Sequence, residues 1–417
     1  MVIISNGHGK FILGTAAAEV HKFGLLDAYI TAGYPLKCIQ GAINKTRIGK
    51  KQFINTLLAR KEVVPDHLVH PMWKSEMLMQ LAVRFKWPIH ITEAFEVLSM
   101  RQYGSDADKI VRNLNSRIYH YRSGYGHTSV LEAKQKGMIA LCDHSIAHPT
   151  VLQYLVENKG HLPRKGEQGP ISKFWLNVLN DIIHADHVIV NSDFVRDTFL
   201  NQGYPADRIH VVYTGLDQQF LDAVPIRIPS LKHRRPIKLL FAGMFGPRKG
   251  SEILVEALSR LKEHSWQLGI IGEIDPFTRT KFASFLESDR VILLGIIPRL
   301  QLAEQMSEAD IFIFPSLAEG SARVIFMAMA CGCYVITTPN SGSVVQDGVN
   351  GALIPPGDVN ALETSIRQAM QSREELERVG HRNANIIKSK YKQTDYGLAL
   401  IKVYEHILNV TFEKSAG

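Results

Sequence analysis

Short β-branched runs alternate with longer stretches of helical periodicity along most of this chain. No other feature constrains the fold as much. Each strand has to return through a helix to lie parallel to the one before it, which gives an α/β protein with parallel sheets. The pattern predicts strands over residues 2–4, 28–31, 137–142, 187–190 and 208–213. A second series is predicted over 237–243, 268–271, 291–294, 311–314 and 334–337. A helix is expected over 14–23, another is capped near Asn191-Ser192, and a last one over about 395–411 carries the apolar stripe Leu398, Ile401, Tyr404, Leu408.

A chain of 417 residues exceeds one comfortable core, so two domains are expected. Pro225, Pro229 and Pro236 surround Lys232-His233-Arg234-Arg235 between the two series, which reads as a linker. The expected division is a first domain over 1–218, a linker over 219–235 and a second domain over 236–388, with residues 389–417 crossing back to the first. Two such sheets place a ligand site in the cleft between them, at the carboxyl ends of the strands.

The chain starts as a strand running into a Gly loop, with no basic region ahead of its apolar residues. No apolar run reaches the roughly 20 residues of a membrane span. A cytoplasmic protein is therefore expected. Cys38, Cys142, Cys331 and Cys333 have no metal-ligand spacing and read as reduced, buried thiols, and no metal site is expected. A formal charge of +8 implies an anionic partner. A phosphorylated substrate and an anionic membrane face both satisfy it. Nucleic acid is not expected, because no RNA- or DNA-binding motif is present. Lys45, Arg47, Lys50, Lys51, Arg60 and Lys61 interleave with Ile48, Phe53, Ile54, Leu57 and Leu58. That is the pattern of an interfacial helix, or of a solvated helix with its apolar side in the core.

Three turns carry chemistry. Gly243-Met244-Phe245-Gly246-Pro247-Arg248-Lys249-Gly250 lies between a strand and a helix expected from Ser251. Such a turn offers backbone N–H groups and the positive end of a helix dipole. Arg248 and Lys249 add two cations, which suits a diphosphate as ligand and as leaving group; a solvated basic turn has the same composition. Pro315-Ser316-Leu317-Ala318-Glu319-Gly320-Ser321 follows another strand and leads into a strongly apolar helix. Glu319 beside free amides can grip sugar hydroxyls, or it can cap the helix dipole. Residues 338–351 form a third run of small and turn-forming residues, where backbone could approach a ligand.

Taken in order, these motifs resemble the GT4 family of glycosyltransferases, whose fold is GT-B: two Rossmann-like domains with parallel sheets facing across a cleft. The resemblance covers about residues 185 to 405. It rests on Asn191-Ser192, Thr214-Gly215, the Arg-Lys-Gly turn, the Pro-Ser-x-x-Glu-Gly stretch, Cys331-Gly332 and the Asp347–Gly351 loop. The resemblance implies transfer of a sugar from a nucleoside-diphosphate-sugar donor to an acceptor hydroxyl with retention, in surface polysaccharide or glycolipid assembly. The acceptor would be a glycan or lipid-linked, with the enzyme cytoplasmic or peripheral at the inner membrane face.

It implies roles as well. Arg248 and Lys249 would neutralise the donor diphosphate, and Glu319 would hold sugar hydroxyls. Gly246, Gly320, Ser321, Ala322 and Arg323 would line the donor, with Ile297 near the base. Gly9 and Lys10 would face the diphosphate from the first domain. No cofactor is implied, since the nucleotide sugar is a substrate, and no metal, since cations and helix dipole replace it. The family's second glutamate falls at position 327, which here is Met327. A thioether holds a ribose hydroxyl poorly, and losing a hydrogen bond of that kind costs about 1.5–3 kcal/mol. That departure admits a rival, a non-catalytic binding protein on the same scaffold; another GT-B enzyme, such as a nucleotide-sugar epimerase, is a second. In the first half, Asp143, His144 and His148 follow a strand predicted to end at Cys142. His144 is expected to meet a sugar hydroxyl, and Asp143 or His148 the acceptor; ordinary hydrogen bonding at a strand end is the other reading.

Overall fold

The computed structural model of the chain describes residues 1–37, 39–40, 52–85, 87–225 and 235–416. Two parallel sheets are present, each in its own α/β domain. The first contains β1 (Val2–Ser5), β2 (Leu26–Thr31), β3 (Val69–Pro71), β4 (Ile118–Arg122), β5 (Ile139–His144), β6 (His187–Val190) and β7 (Ile209–Val211), in the order β3-β2-β1-β4-β5-β6-β7. The second contains β8 (Ile237–Ala242), β9 (Trp266–Ile271), β10 (Val291–Gly295), β11 (Ile311–Phe314), β12 (Tyr334–Thr337) and β13 (Ala352–Leu353), in the order β10-β9-β8-β11-β12-β13. Central strands such as Val2-Ile3-Ile4-Ser5 and Ile311-Phe312-Ile313-Phe314 are buried at every residue. Helices on both faces demand that of a parallel strand.

Strand order reverses between β1 and β4 in the first sheet, and between β8 and β11 in the second. Connections leave in opposite directions at such a point and open a crevice beyond the strand ends. The Gly loop after β1, the Arg-Lys-Gly turn after β8 and the Glu319 loop after β11 all lie there.

Several expectations need correction. β3, β4 and β13 were hidden in segments without a clear period. β5 continues two residues past Cys142 and includes Asp143 and His144. Residues 206–208 form a 3-10 turn, so β7 starts at Ile209. The linker region opens with a short helix, Gln218–Ala223, while residues 226–234 lie outside the described residues. Most of the basic segment, residues 41–51, also lies outside them. Its described cations do not form a basic face. Arg60 is buried and donates to both Glu76 carboxylate oxygens at 2.8 and 3.2 Å, and Lys61 pairs with Asp66 at 2.6 Å.

The chain returns to the first domain at Tyr391–Gln393. Leu216 N–H donates to Tyr391 O and Gln393 N–H donates to Leu216 O, both at 2.8 Å. The Gln393–Ala416 helix then buries Tyr396, Leu400, Tyr404 and Ile407 against the first sheet. This stripe is offset from the expected one, and Leu398 faces solvent at 49% exposure. The two stripes share Tyr404, whose hydroxyl bonds His120 Nδ1 at 2.8 Å.

Candidate functional site

A close backbone approach builds the site. Gly250 has φ +75°, and a Cβ there would lie 2.0 Å from Pro315 O. Only glycine fits, so the turn after β8 packs directly on the loop after β11. Leu317 N–H donates to Arg248 O at 2.9 Å and fixes the register. Arg248 and Lys249 thereby reach Glu319. Arg248 donates to Glu319 Oε1 at 2.7 Å and to Ala318 O at 2.6 Å, and Lys249 Nζ lies 3.2 Å from the same carboxylate oxygen. Lys249 also sits over the Phe314 ring, 4.9 Å from its centre. The three side chains singled out from the sequence are one ion cluster, in which Glu319 is the counter-ion of both cations.

Beside the cluster is a cavity of about 360 Å³. Its polar lining comes from Lys249, Glu319, Ser321 and Arg323, and its aliphatic and thioether lining from Ile271, Ile296, Ile297, Leu302, Val324 and Met327. Ser321 Oγ is buried without a protein partner, a donor and acceptor available to a ligand. Met327 is 8% exposed and brings only a thioether to the wall. Arg323 also pairs with Asp217 at 3.1 Å, which Arg299 contacts too, so this edge of the cavity is tied to the chain's exit from the first domain.

Some expected contacts fall elsewhere. Gly246 packs against Asp275, and Gly243 and Gly272 approach the cavity in its place. The Ala322 amide is spent on Ser341 O at 2.9 Å, and that of Glu319 on Asn340 O at 3.0 Å, so neither is offered to a ligand. The Gly320 carbonyl accepts from Ser192 Oγ at 2.5 Å, and a Cβ on Gly320 would lie 1.8 Å from Ser145 O. Gly320 is thus where the second domain touches the first. Asn340 Nδ2 adds a second tie, to Gly160 O at 2.6 Å. Ser192 was legible as a helix cap, and it does accept from Val195 N–H; its bond across the cleft carries no sequence signal.

Across the cleft, Gly9 and Lys10 lie in the loop after β1, with Lys10 exposed. Lys10 and Arg323 both act on the Glu62 carboxyl, whose pKa burial raises and these cations lower. His8 stands in the same loop. Its Nε2 bonds Ser99 Oγ at 3.1 Å, its Nδ1 has no partner, and burial pushes the imidazole down to about 4.

The three groups near the end of β5 turn inward. His144 bonds Ser123 Oγ at 2.9 Å through Nδ1, and burial lowers it to about 4. His148 caps the Pro149–Glu157 helix, bonds Thr150 Oγ1 at 2.8 Å, and is lowered by burial to about 3. Asp143 is buried 3.6 Å from His120 Nε2, beneath Tyr396 and Tyr404 of the crossing helix. All three are packing groups, and none is placed to meet a sugar or an acceptor. The strand runs two residues further than its hydrophobicity suggests, which carries Asp143 and His144 below the surface, while His148 is held by its capping place at the next helix.

Comparison with known proteins agrees with this architecture. The Glycosyltransferase Family 4 model matches residues 80–220, and the model for glycosyl transferases group 1 matches residues 236–372. The protein named colanic acid biosynthesis glycosyltransferase WcaL, from Escherichia coli (strain K12), is 22% identical over 377 residues, covering 83% of this chain and 86% of its own. The amylovoran biosynthesis glycosyltransferase AmsK of Erwinia amylovora is 27% identical over 258 residues, covering 58% and 56%. Anabaena HepE, solved with UDP and glucose, superposes with a TM-score of 0.62 at 16% identity over 97% of this chain and 99% of its own. One family model sits on each sheet, in the order the cleft requires, and the chain is a GT4-type glycosyltransferase of the GT-B fold.

Proposed function

We propose that this enzyme moves a glycosyl group from a nucleoside-diphosphate sugar to an acceptor hydroxyl, in the assembly of a surface polysaccharide or lipid-linked glycan. The observation that carries the reading is the cavity's mixed lining, in which the charged Lys249, Glu319 and Arg323 stand with aliphatic side chains beside the Arg248–Lys249–Glu319 cluster. A diphosphate takes the place of Glu319 on Arg248 and Lys249, and the base lies against Ile296, Ile297 and Leu302. Glu319, released, accepts from sugar hydroxyls, and Ser321 Oγ is free to bond the donor. The two cations stabilise the charge that grows on the departing diphosphate. Burial makes the imidazoles of His8, His144 and His148 weak bases, and the resemblance to the family implies that the leaving phosphate itself takes the acceptor proton on the same face, with retention. The biosynthetic names of WcaL and AmsK, and UDP in HepE, support donor and pathway class.

Met327 in the cavity wall favours a second reading, a scaffold that binds nucleotide sugar without turning it over. Release of nucleoside diphosphate from a panel of sugar nucleotides, with and without a glycolipid extract, separates the two. Acceptor-dependent release that Lys249→Ala removes is the expected result. Binding without release supports the scaffold, and release without acceptor dependence points to an epimerase.

A further inference from the structure

The Trp73–Arg84 and Ile89–Asn113 helices pack together as a hairpin. Its root abuts the cleft: Ser99 Oγ bonds His8 Nε2 and donates to Ser75 O at 2.6 Å. Met77 and Leu98 are exposed nearer the root, and the far end is apolar and open: Ile89 is 87% exposed, Val83 67%, and Leu81 and Phe85 are exposed as well. Phe85, Trp87 and Phe95 form a ring stack there, with centroids 5.3 and 4.6 Å apart. Apolar patches of this kind on a folded surface mark interaction sites.

Charge identifies the occupant. Lys74, Met77, Leu81 and Arg84 fall on one stripe of the first helix, at spacings of three, four and three, and His90 is exposed beyond them. The acids of the hairpin are buried or engaged within the protein. Glu76 is buried under Arg60, Glu93 accepts from Phe174 N–H at 2.8 Å, and burial raises the Glu96 carboxyl. Exposed aliphatic and aromatic side chains with a cationic rim, and carboxylates engaged within the protein, suit an anionic bilayer surface.

We propose that the end of this hairpin inserts into anionic membrane. Ser99 is ten residues from Ile89, about 15 Å of helix, so an acceptor headgroup on the bilayer can reach the loop after β1. Attachment stands independently of the donor assignment; only delivery of a lipid-linked acceptor rests on it.

The test is sedimentation of the full chain with phosphatidylglycerol-containing vesicles and with phosphatidylcholine vesicles. The variants are Val83→Asp and Ile89→Asp, singly and together; both positions are exposed, and circular dichroism checks that the fold is kept. Wild type is expected to sediment with the anionic vesicles at low salt and to be released at high salt, with the double variant bound roughly tenfold less. Nucleotide affinity, a property of the other domain, is expected to be unchanged. Failure of wild type to bind anionic vesicles overturns the proposal. So does undiminished binding by the folded double variant. Light scattering showing a wild-type dimer that the variants dissolve would assign the surface to a second copy and overturn it too.

Discussion

Beyond β8 and β11 the chain gathers Arg248, Lys249 and Glu319 beside a cavity that Lys249 and Glu319 line, whereas near the end of β5 it buries Asp143, His144 and His148. Both are strand ends of parallel sheets facing one cleft. Backbone contact separates them. Gly250 lets two loops touch, so charged side chains converge above the sheet. β5 instead carries His144 and Asp143 down to Ser123 and His120, and the helix cap that follows turns His148 onto Thr150, so each finds a partner inside the domain. A titratable side chain near a strand end is functional only where the neighbouring loops leave it facing outward.

The widest breach of this comparison is at Gly320, where the domains meet. A methyl group there collides with Ser145 O. Gly320→Ala is expected to cut turnover by about 100-fold, the scale of a misplacement of about 1 Å, while nucleotide affinity shifts by less than about threefold. Steady-state kinetics beside titration would show the split; equal losses in both would mean that the loop matters only to the donor cavity.

Within the first domain, Glu76→Gln leaves Arg60 buried without its counter-ion, at a cost of about 3–5 kcal/mol. Burial raises the Glu76 carboxyl, but Arg60, Gln80 and the Gly33 N–H bring it net below its ordinary value. A depressed folded pKa gives stability that is complete above the ordinary carboxylate value and is lost as pH falls through the depressed one. Urea melts from pH 7 to 3 should show that loss in wild type and a flatter profile in the variant.

Met327 tests the apolar lining. Without a carboxylate there, a ribonucleoside diphosphate and its deoxy counterpart should bind within about threefold of each other. Met327→Glu should favour the ribonucleotide by about tenfold, read by competitive titration. The smallest effect belongs to His144→Gln, expected to change turnover by less than about threefold with no change in its pH profile, because an imidazole lowered to about 4 is already neutral.

The donor half was legible because its signals are local. Arg248, Lys249 and Glu319 sit in short turns whose glycines and spacing survive in one dimension. That the three form one cluster, with Glu319 engaged by its own cations, depends on Gly250 meeting Pro315, 65 residues apart. The spent amide of Ala322 and the inward turn of β5 are contacts of the same long-range kind. β3 and β4 were missed because their residues, Val69-His70-Pro71 and Ile118-Tyr119-His120-Tyr121-Arg122, mix polar and aromatic types. Tertiary partners such as Tyr404 make those burials acceptable, and a local window does not contain them.

Calorimetric titration of a nucleoside-diphosphate panel into wild type, Lys249→Ala and Glu319→Gln tests the central assignment most directly. One nucleotide should bind wild type, about 10- to 100-fold more weakly to Lys249→Ala, and more tightly to Glu319→Gln, whose cations no longer have an internal anion to give up. Equal affinities across all three proteins, or no binding by any of them, would contradict the placement of the donor diphosphate on this cluster.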